Sequence, residues 1–172
     1  MKKISFLLPY IFSSTFLFAQ KKSLPECNDM KEKIILIQQS FDKLSETFKS
    51  SDKPMDGSDA DEIYYNTEFK LCGQTASLSE SKKQVFFKFS FDDSEYSGTA
   101  EDFNNFENKI LTVLREVFGK ILDDKIVGDG PDHFFLEPGK NNFSSRTFIY
   151  IGVEHESQHV VKLNFRYNKP SL

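Results

Sequence analysis

The sequence is short of the residues that carry chemistry. Its 172 residues include two cysteines and three histidines, and no His, Asp, Glu or Cys follows His159. No G-x-S-x-G elbow, P-loop or dinucleotide-binding fingerprint is present, so serine-hydrolase and nucleotide chemistry lack their usual carriers. No internal repeat and no second domain can be read. There is no basic cluster either. The net charge of −4 is built from interspersed charges, which argues against nucleic acid and anionic lipid headgroups as partners.

What is present begins with MKKISFLLPYIFSSTFLFAQ, two lysines and an apolar run from Ile4 to Phe18 before the small Ala19. This pattern predicts a secretory signal peptide over residues 1–19, cleaved near Ala19, and a periplasmic or secreted domain over 20–172. The apolar run is short and interrupted by Pro9, Ser13 and Ser14, so no membrane span is expected after cleavage. The leader and its Phe-Ala-Gln junction resemble those of proteins exported by Gram-negative bacteria.

Export makes a Cys27–Cys72 disulfide the expectation, with a free reactive thiol as the alternative. The pairing is awkward on paper. Cys27 opens a helical stripe whereas Cys72 falls on the polar side of a strand, so the bond needs a bulge at Gly73 or a route around the sheet end.

Apolar spacings of three and four run from Cys27 through Met30, Ile34, Ile37, Phe41 and Leu44 to Phe48, predicting one helix. The polar SSDKPMDGSDAD that follows is a loop, and its acids lack the order of an EF-hand. Alternation over Ile63–Cys72 and Lys82–Asp92 predicts two strands joined as a hairpin by QTASLSES. Thr99 followed by Glu101 and Asp102 marks the start of a second helix with a broad apolar face from Phe103 to Leu122. A short strand at His133–Glu137 precedes the C-terminal pair.

In that pair, Thr147, Ile149, Ile151 and Val153 alternate with polar or aromatic neighbours, and so do Val161, Leu163, Phe165 and Tyr167. Both sets fall on odd numbers, so a hairpin must turn about Ser157, with Val153 opposite Val161 and His155 opposite His159. The same tip reads HESQH, which resembles the zincin H-E-x-x-H motif. That resemblance implies zinc held by His155 and His159, Glu156 as general base, and a helical backbone. The third ligand would have to be His133, because Lys162 and Phe165 stand where the extended motif has Gly and His.

The order α-β-β-α-β-β-β predicts a single α+β domain, a mainly antiparallel sheet of about five strands with two amphipathic helices on one face. Strand parity puts Phe86, Phe148 and Tyr150 on the opposite face among Lys88, Lys162, Asn164 and Arg166. Aromatics rimmed by cations suggest a contact face, with Phe86, Phe148, Tyr150 and Arg166 its candidate residues. The expected function is therefore a non-enzymatic exported domain that binds a protein partner, possibly a second copy of itself. The alternatives are a zinc-dependent hydrolase and a carrier holding a small apolar ligand between the sheet and the second helix.

Overall fold

The structure, a computed structural model, describes residues 21–59, 61–126, 132–140, 145–154 and 159–170. The predicted leader and its junction therefore lie outside the described residues. In chain order the elements are β1 (Lys22–Ser23), α1 (Met30–Gln39), a 3-10 turn (Phe41–Lys43), α2 (Leu44–Phe48) and β2 (Glu62–Tyr65). There follow β3 (Lys70–Leu71), β4 (Gln74–Thr75), β5 (Ser77–Ser81), β6 (Gln84–Asp92), β7 (Tyr96–Ser97) and α3 (Ala100–Phe118). Last come β8 (Asp123–Ile126), β9 (His133–Leu136), β10 (Thr147–Glu154) and β11 (Val160–Asn168).

Together they make a single α+β domain around a seven-stranded antiparallel sheet ordered β2-β5-β6-β11-β10-β9-β8. The longest strands occupy the middle because their alternation is the most regular. β6 and β11 run level from Gln84↔Asn168 to Asp92↔Val160, and β11 runs level with β10 through Val153↔Val161, as the parity of the sequence requires. Phe87, Phe89, Phe91, Ile149, Ile151, Leu163 and Phe165 all point to one side and are fully or almost fully buried beneath the helices.

α3 supplies the main cover. Its start is fixed by a capping box, in which the Asp102 N–H donates to Thr99 Oγ1 at 3.2 Å and the Thr99 N–H donates to Asp102 Oδ2 at 2.7 Å. Phe103, Phe106, Ile110, Leu111, Leu114 and Phe118 then face the sheet. The predicted stripe overruns the helix, which stops at Phe118, so Ile121 is left more than half exposed.

The first predicted helix is one apolar stripe but not one helix. It breaks at Ser40, and the 3-10 turn tightens the winding so that Phe41 and Leu44 still reach the core. Phe41 then meets Phe118 and Phe165 edge-on, and Phe48 stacks on Phe87 at 4.9 Å.

Two strands were hidden by polarity. Ser77–Ser81 reads as loop composition, yet it inserts between β2 and β6 as β5. The Ser79 hydroxyl there donates to Glu62 Oε1 at 2.7 Å. Asp123–Ile126 forms the far edge strand, where charged side chains are ordinary. The predicted strand Ile63–Cys72 is split, because after Tyr65 the chain leaves the sheet and brings Phe69 against Phe48 and Phe87.

The loop after α2 has a structural task. Its Met55 N–H donates to Tyr64 O, Ser58 Oγ accepts from the Tyr64 N–H, and Asp59 Oδ1 accepts from the Asp61 and Glu62 N–H groups. The outer edge of β2 is thereby closed to further strands. These bonds also hold the Asp59 carboxyl below its ordinary pKa, first through Glu62 and then Asp61.

The Cys27–Cys72 disulfide is present, with Cα atoms 4.6 Å apart. Neither cysteine lies on a stripe. Cys27 precedes α1 with φ +56°, and Cys72 with φ +53° shares the β3–β4 turn with Gly73 at φ +78°. Positive φ at both central residues is what a tight type I′ hairpin turn demands, and it swings the Cys72 side chain out of the strand's alternation. Among the described residues no helix is long and apolar enough to cross a membrane.

Candidate functional site

The zinc reading meets the structure first at its flanks. His155, Glu156 and Ser157 lie outside the described residues. Glu154 and Val160, however, are level with each other as the last pair of two antiparallel strands, whose Cα atoms lie about 5 Å apart. A zincin helix continues on both sides of its histidines, and six residues of helix advance about 9 Å.

The proposed third ligand is misplaced as well. His133 is level with Ile151 and, through it, with Leu163, whereas His159 precedes Leu163 by four residues. About 13 Å along the strand and two strand spacings thus separate the imidazoles, too far for both to stand about 2 Å from one ion. His159 instead lies over the Phe103 ring at 5.5 Å. The purified protein is expected to carry no stoichiometric zinc. Elemental analysis checks this, and a one-to-one zinc lost in His159→Ala would restore the hydrolase.

His133 belongs to a charged group at the end of the core. Its Nδ1 is 3.0 Å from Asp124 Oδ1, and Arg115 Nε donates to Asp124 Oδ2 at 2.6 Å. Burial alone would raise the Asp124 carboxyl, but the hydrogen bonds from His133 and Arg115 carry it below its ordinary value.

Nearby on α3 is a residue that the sequence reading passed over. Glu107 is only 5% exposed, and its Oε1 is buried without a hydrogen-bond partner. Burial pushes its carboxyl up to about 7, the charge of His133 lowering it and that of Asp132 raising it. The signal was available: Glu107 is four residues from both Phe103 and Leu111, inside the apolar arc.

The sheet face turned away from the helices gathers the four predicted contact residues. Phe86, Arg166 and Phe148 form one row across β6, β11 and β10, and Lys88, Asn164, Tyr150 and Phe134 form the next. The Arg166 guanidinium stands 4.3 Å above Phe148 and Lys88 Nζ 4.5 Å from Phe86, so each cation is seated on a ring. Burial lowers the Arg166 pKa from its ordinary value.

One expectation changes here. Phe148 is only 7% exposed, enclosed by Arg166 and the Phe134 ring at 5.4 Å, so it supports the face from below while Phe86 and Tyr150 are half-buried.

A recess of about 460 Å³ opens beside these rows, where β4 and the start of β5 meet β6, β11 and β10. Lys88, Ser90, Lys162 and Asn164 line its floor, with Thr75 and Ser77 at one wall. Asn164 Oδ1 is buried with no donor to it, a deficit of about 1–3 kcal/mol for a buried polar group. By contrast, the space between the sheet and α3 is filled by Phe89, Ile110, Leu114 and Phe165, each almost fully buried.

The fold defines the class, a single-domain α+β protein with an open cation-aromatic sheet face. Comparison with protein-family models, curated proteins and solved structures finds no significant match, so the chemistry of that face carries the functional reading.

Proposed function

We propose that the chain is an exported, non-enzymatic binding domain whose outer sheet face receives a protein partner. One observation carries this reading. In a chain of net charge −4, the outer sides of the three central strands carry Lys88, Lys162 and Arg166 among Phe86, Phe148 and Tyr150. No carboxylate is carried on that side between Gln84 and Ser90, Phe148 and Gly152, or Lys162 and Asn168. Asp132 stands at the margin, where it takes the Tyr150 hydroxyl's hydrogen bond at 3.3 Å in space left by the missing side chain of Gly152.

Rings with cations seated on them make a surface that is apolar, ordered and positive, the composition that recurs at protein contacts. The disulfide and the leader sequence support an extracytoplasmic setting.

A photoreactive benzoylphenylalanine at Phe86 tests the proposal in cells. It is expected to yield a discrete covalent adduct that the same group at Leu36, exposed on α1, does not. An adduct of twice the chain mass would identify the partner as a second copy. No adduct at Phe86, or the same adducts from both positions, would remove the reading.

A further inference from the structure

We propose that two adjoining recesses on the outer sheet face form one groove that binds a short, neutral oligosaccharide. The assignment does not depend on a protein covering the neighbouring rows. The first recess, of about 460 Å³, is the one beside Lys88, and the second, of about 520 Å³, lies between the loop at Met55, the end of β2 and the start of β5. Each falls within the range of about 300–1,000 Å³ usual for small-molecule sites. Thr75 and Ser77 line both, so a low ridge of two exposed hydroxyl side chains is what divides them.

That ridge is firmly placed. The disulfide at Cys72 closes the β3–β4 turn just before it, the Ala76 N–H donates to Phe69 O at 3.1 Å, and the Tyr96 hydroxyl donates to Gln74 Oε1 at 3.2 Å.

A tyrosine stands at each end of the groove. Tyr64 is level with Ser79 and, through it, with Phe86, so its ring lies on the same outer face as Tyr150, four strand spacings or about 19 Å away. Both hydroxyls are held by carboxylates. Tyr64 donates to Glu62 Oε2 at 3.1 Å, and the Ser79 hydroxyl steadies the same carboxylate through Oε1. Tyr150 donates to Asp132 Oδ1 at 3.3 Å and packs on the Phe134 ring at 5.4 Å. A ring already tethered loses little freedom when a ligand stacks on it.

The lining between the rings decides the class of ligand. Asn66, Thr67, Thr75, Ser77 and Ser90 offer amide and hydroxyl groups that both give and take hydrogen bonds, which is what a row of sugar hydroxyls requires. Pyranose rings turn C–H faces to aromatic side chains and hydroxyls to the groups at their edges, so rings and polar side chains are both used. Lysines line one end of the groove and Asp56 lines the other, so neither sign of charge is selected along its length.

An extended peptide fits less well. It takes its backbone hydrogen bonds from a sheet edge, whereas this groove crosses strands whose backbone groups already pair with one another. The nearest edge, that of β2, is occupied by the bonds from Met55 and Ser58.

Cellotetraose and maltotetraose, an extended and a coiled neutral tetrasaccharide, are the probes, titrated into 15N-labelled protein. At least one is expected to give saturable movement of amide signals in both recesses, Asn66 and Thr67 in one and Ser90 and Asn164 in the other, with a Kd of about 1 mM. The corresponding disaccharide should bind about tenfold more weakly, because it cannot reach both rings. Tyr64→Ala, which removes an exposed ring and leaves the core untouched, should weaken the tetrasaccharide about tenfold as well. No saturation by about 20 mM of either tetrasaccharide, movement confined to one recess, equal affinity for the disaccharide, or affinity unchanged in Tyr64→Ala would overturn the assignment. Because Phe86 is altered in none of these proteins, the outcome is read separately from the crosslinking experiment.

Discussion

Replacing Cys27 and Cys72 by serine is expected to cost about 4 kcal/mol of folding stability. The bond joins positions 45 residues apart, spanning the whole segment from the start of α1 to the β3–β4 turn. In the unfolded chain it forbids every conformation in which those points separate, and the loss of that restriction is what a cysteine-free variant suffers. For a domain of this size, whose total stability is of the order of 5–15 kcal/mol, that is a large share.

The native side of the balance gives little relief. With serine at both positions the backbone still has to hold positive φ at residues 27 and 72, a conformation that side chains other than glycine adopt at a cost of about 1 kcal/mol or more. The local contacts that remain include the burial of Leu71 and the hydrogen bond from Tyr96 Oη to Gln74 Oε1. Urea unfolding measures the difference, and the slope against urea should rise, since the uncrosslinked chain exposes more surface. A loss below about 1 kcal/mol would mean that the 27–72 segment stays compact when unfolded, and that the bond constrains little.

That bond was legible in the sequence as a pairing but not as a geometry, and the difference recurs throughout the chain. Parity in Thr147–Val153 and Val161–Tyr167 fixed the register of β10 on β11, because a one-residue slip would turn every apolar side chain to the wrong face. The same parity placed Phe86, Phe148, Tyr150 and Arg166 together. It could not tell that Phe148 would be enclosed, since the Phe134 ring that covers it belongs to a strand paired from elsewhere in the chain.

β5 and β8 were invisible for a complementary reason. Ser-Leu-Ser-Glu-Ser and Asp-Asp-Lys-Ile have no strand propensity to speak of, and they become strands because a neighbour already presents an unpaired backbone edge. The recess beside Lys88 depends on that placement of β5 and on the β3–β4 turn held by Cys72. Its members are scattered from Gln74 to Asn164, and no local pattern joins them.

Glu107→Gln is expected to stabilise the protein by about 3 kcal/mol at pH 8 and to leave it nearly unchanged at pH 4. The carboxyl is buried on the sheet side of α3, and its pKa of about 7 stands above the 4.5 of an unhindered glutamate. A raised pKa means that the folded state holds a proton that the unfolded state has already released. Between pH 4.5 and about 7 the native protein therefore binds more protons, so its stability falls as pH rises through that window. Above it, folding must bury an ionised carboxylate whose Oε1 has no partner.

The groups facing it do not cancel the effect, for His133 is drawn to Asp124 at 3.0 Å and the charge of Asp132 opposes ionisation. Asp124 works in the other direction, its depressed pKa giving stability that is lost as pH falls below the ordinary range of aspartate. The two windows do not overlap, so urea midpoints of wild type and Glu107→Gln at pH 5 and pH 8 isolate Glu107. A difference that widens with pH is the expected result. Equal midpoints at pH 8 would show that the carboxylate finds a partner when ionised, and that the α3–sheet interface opens enough to admit one.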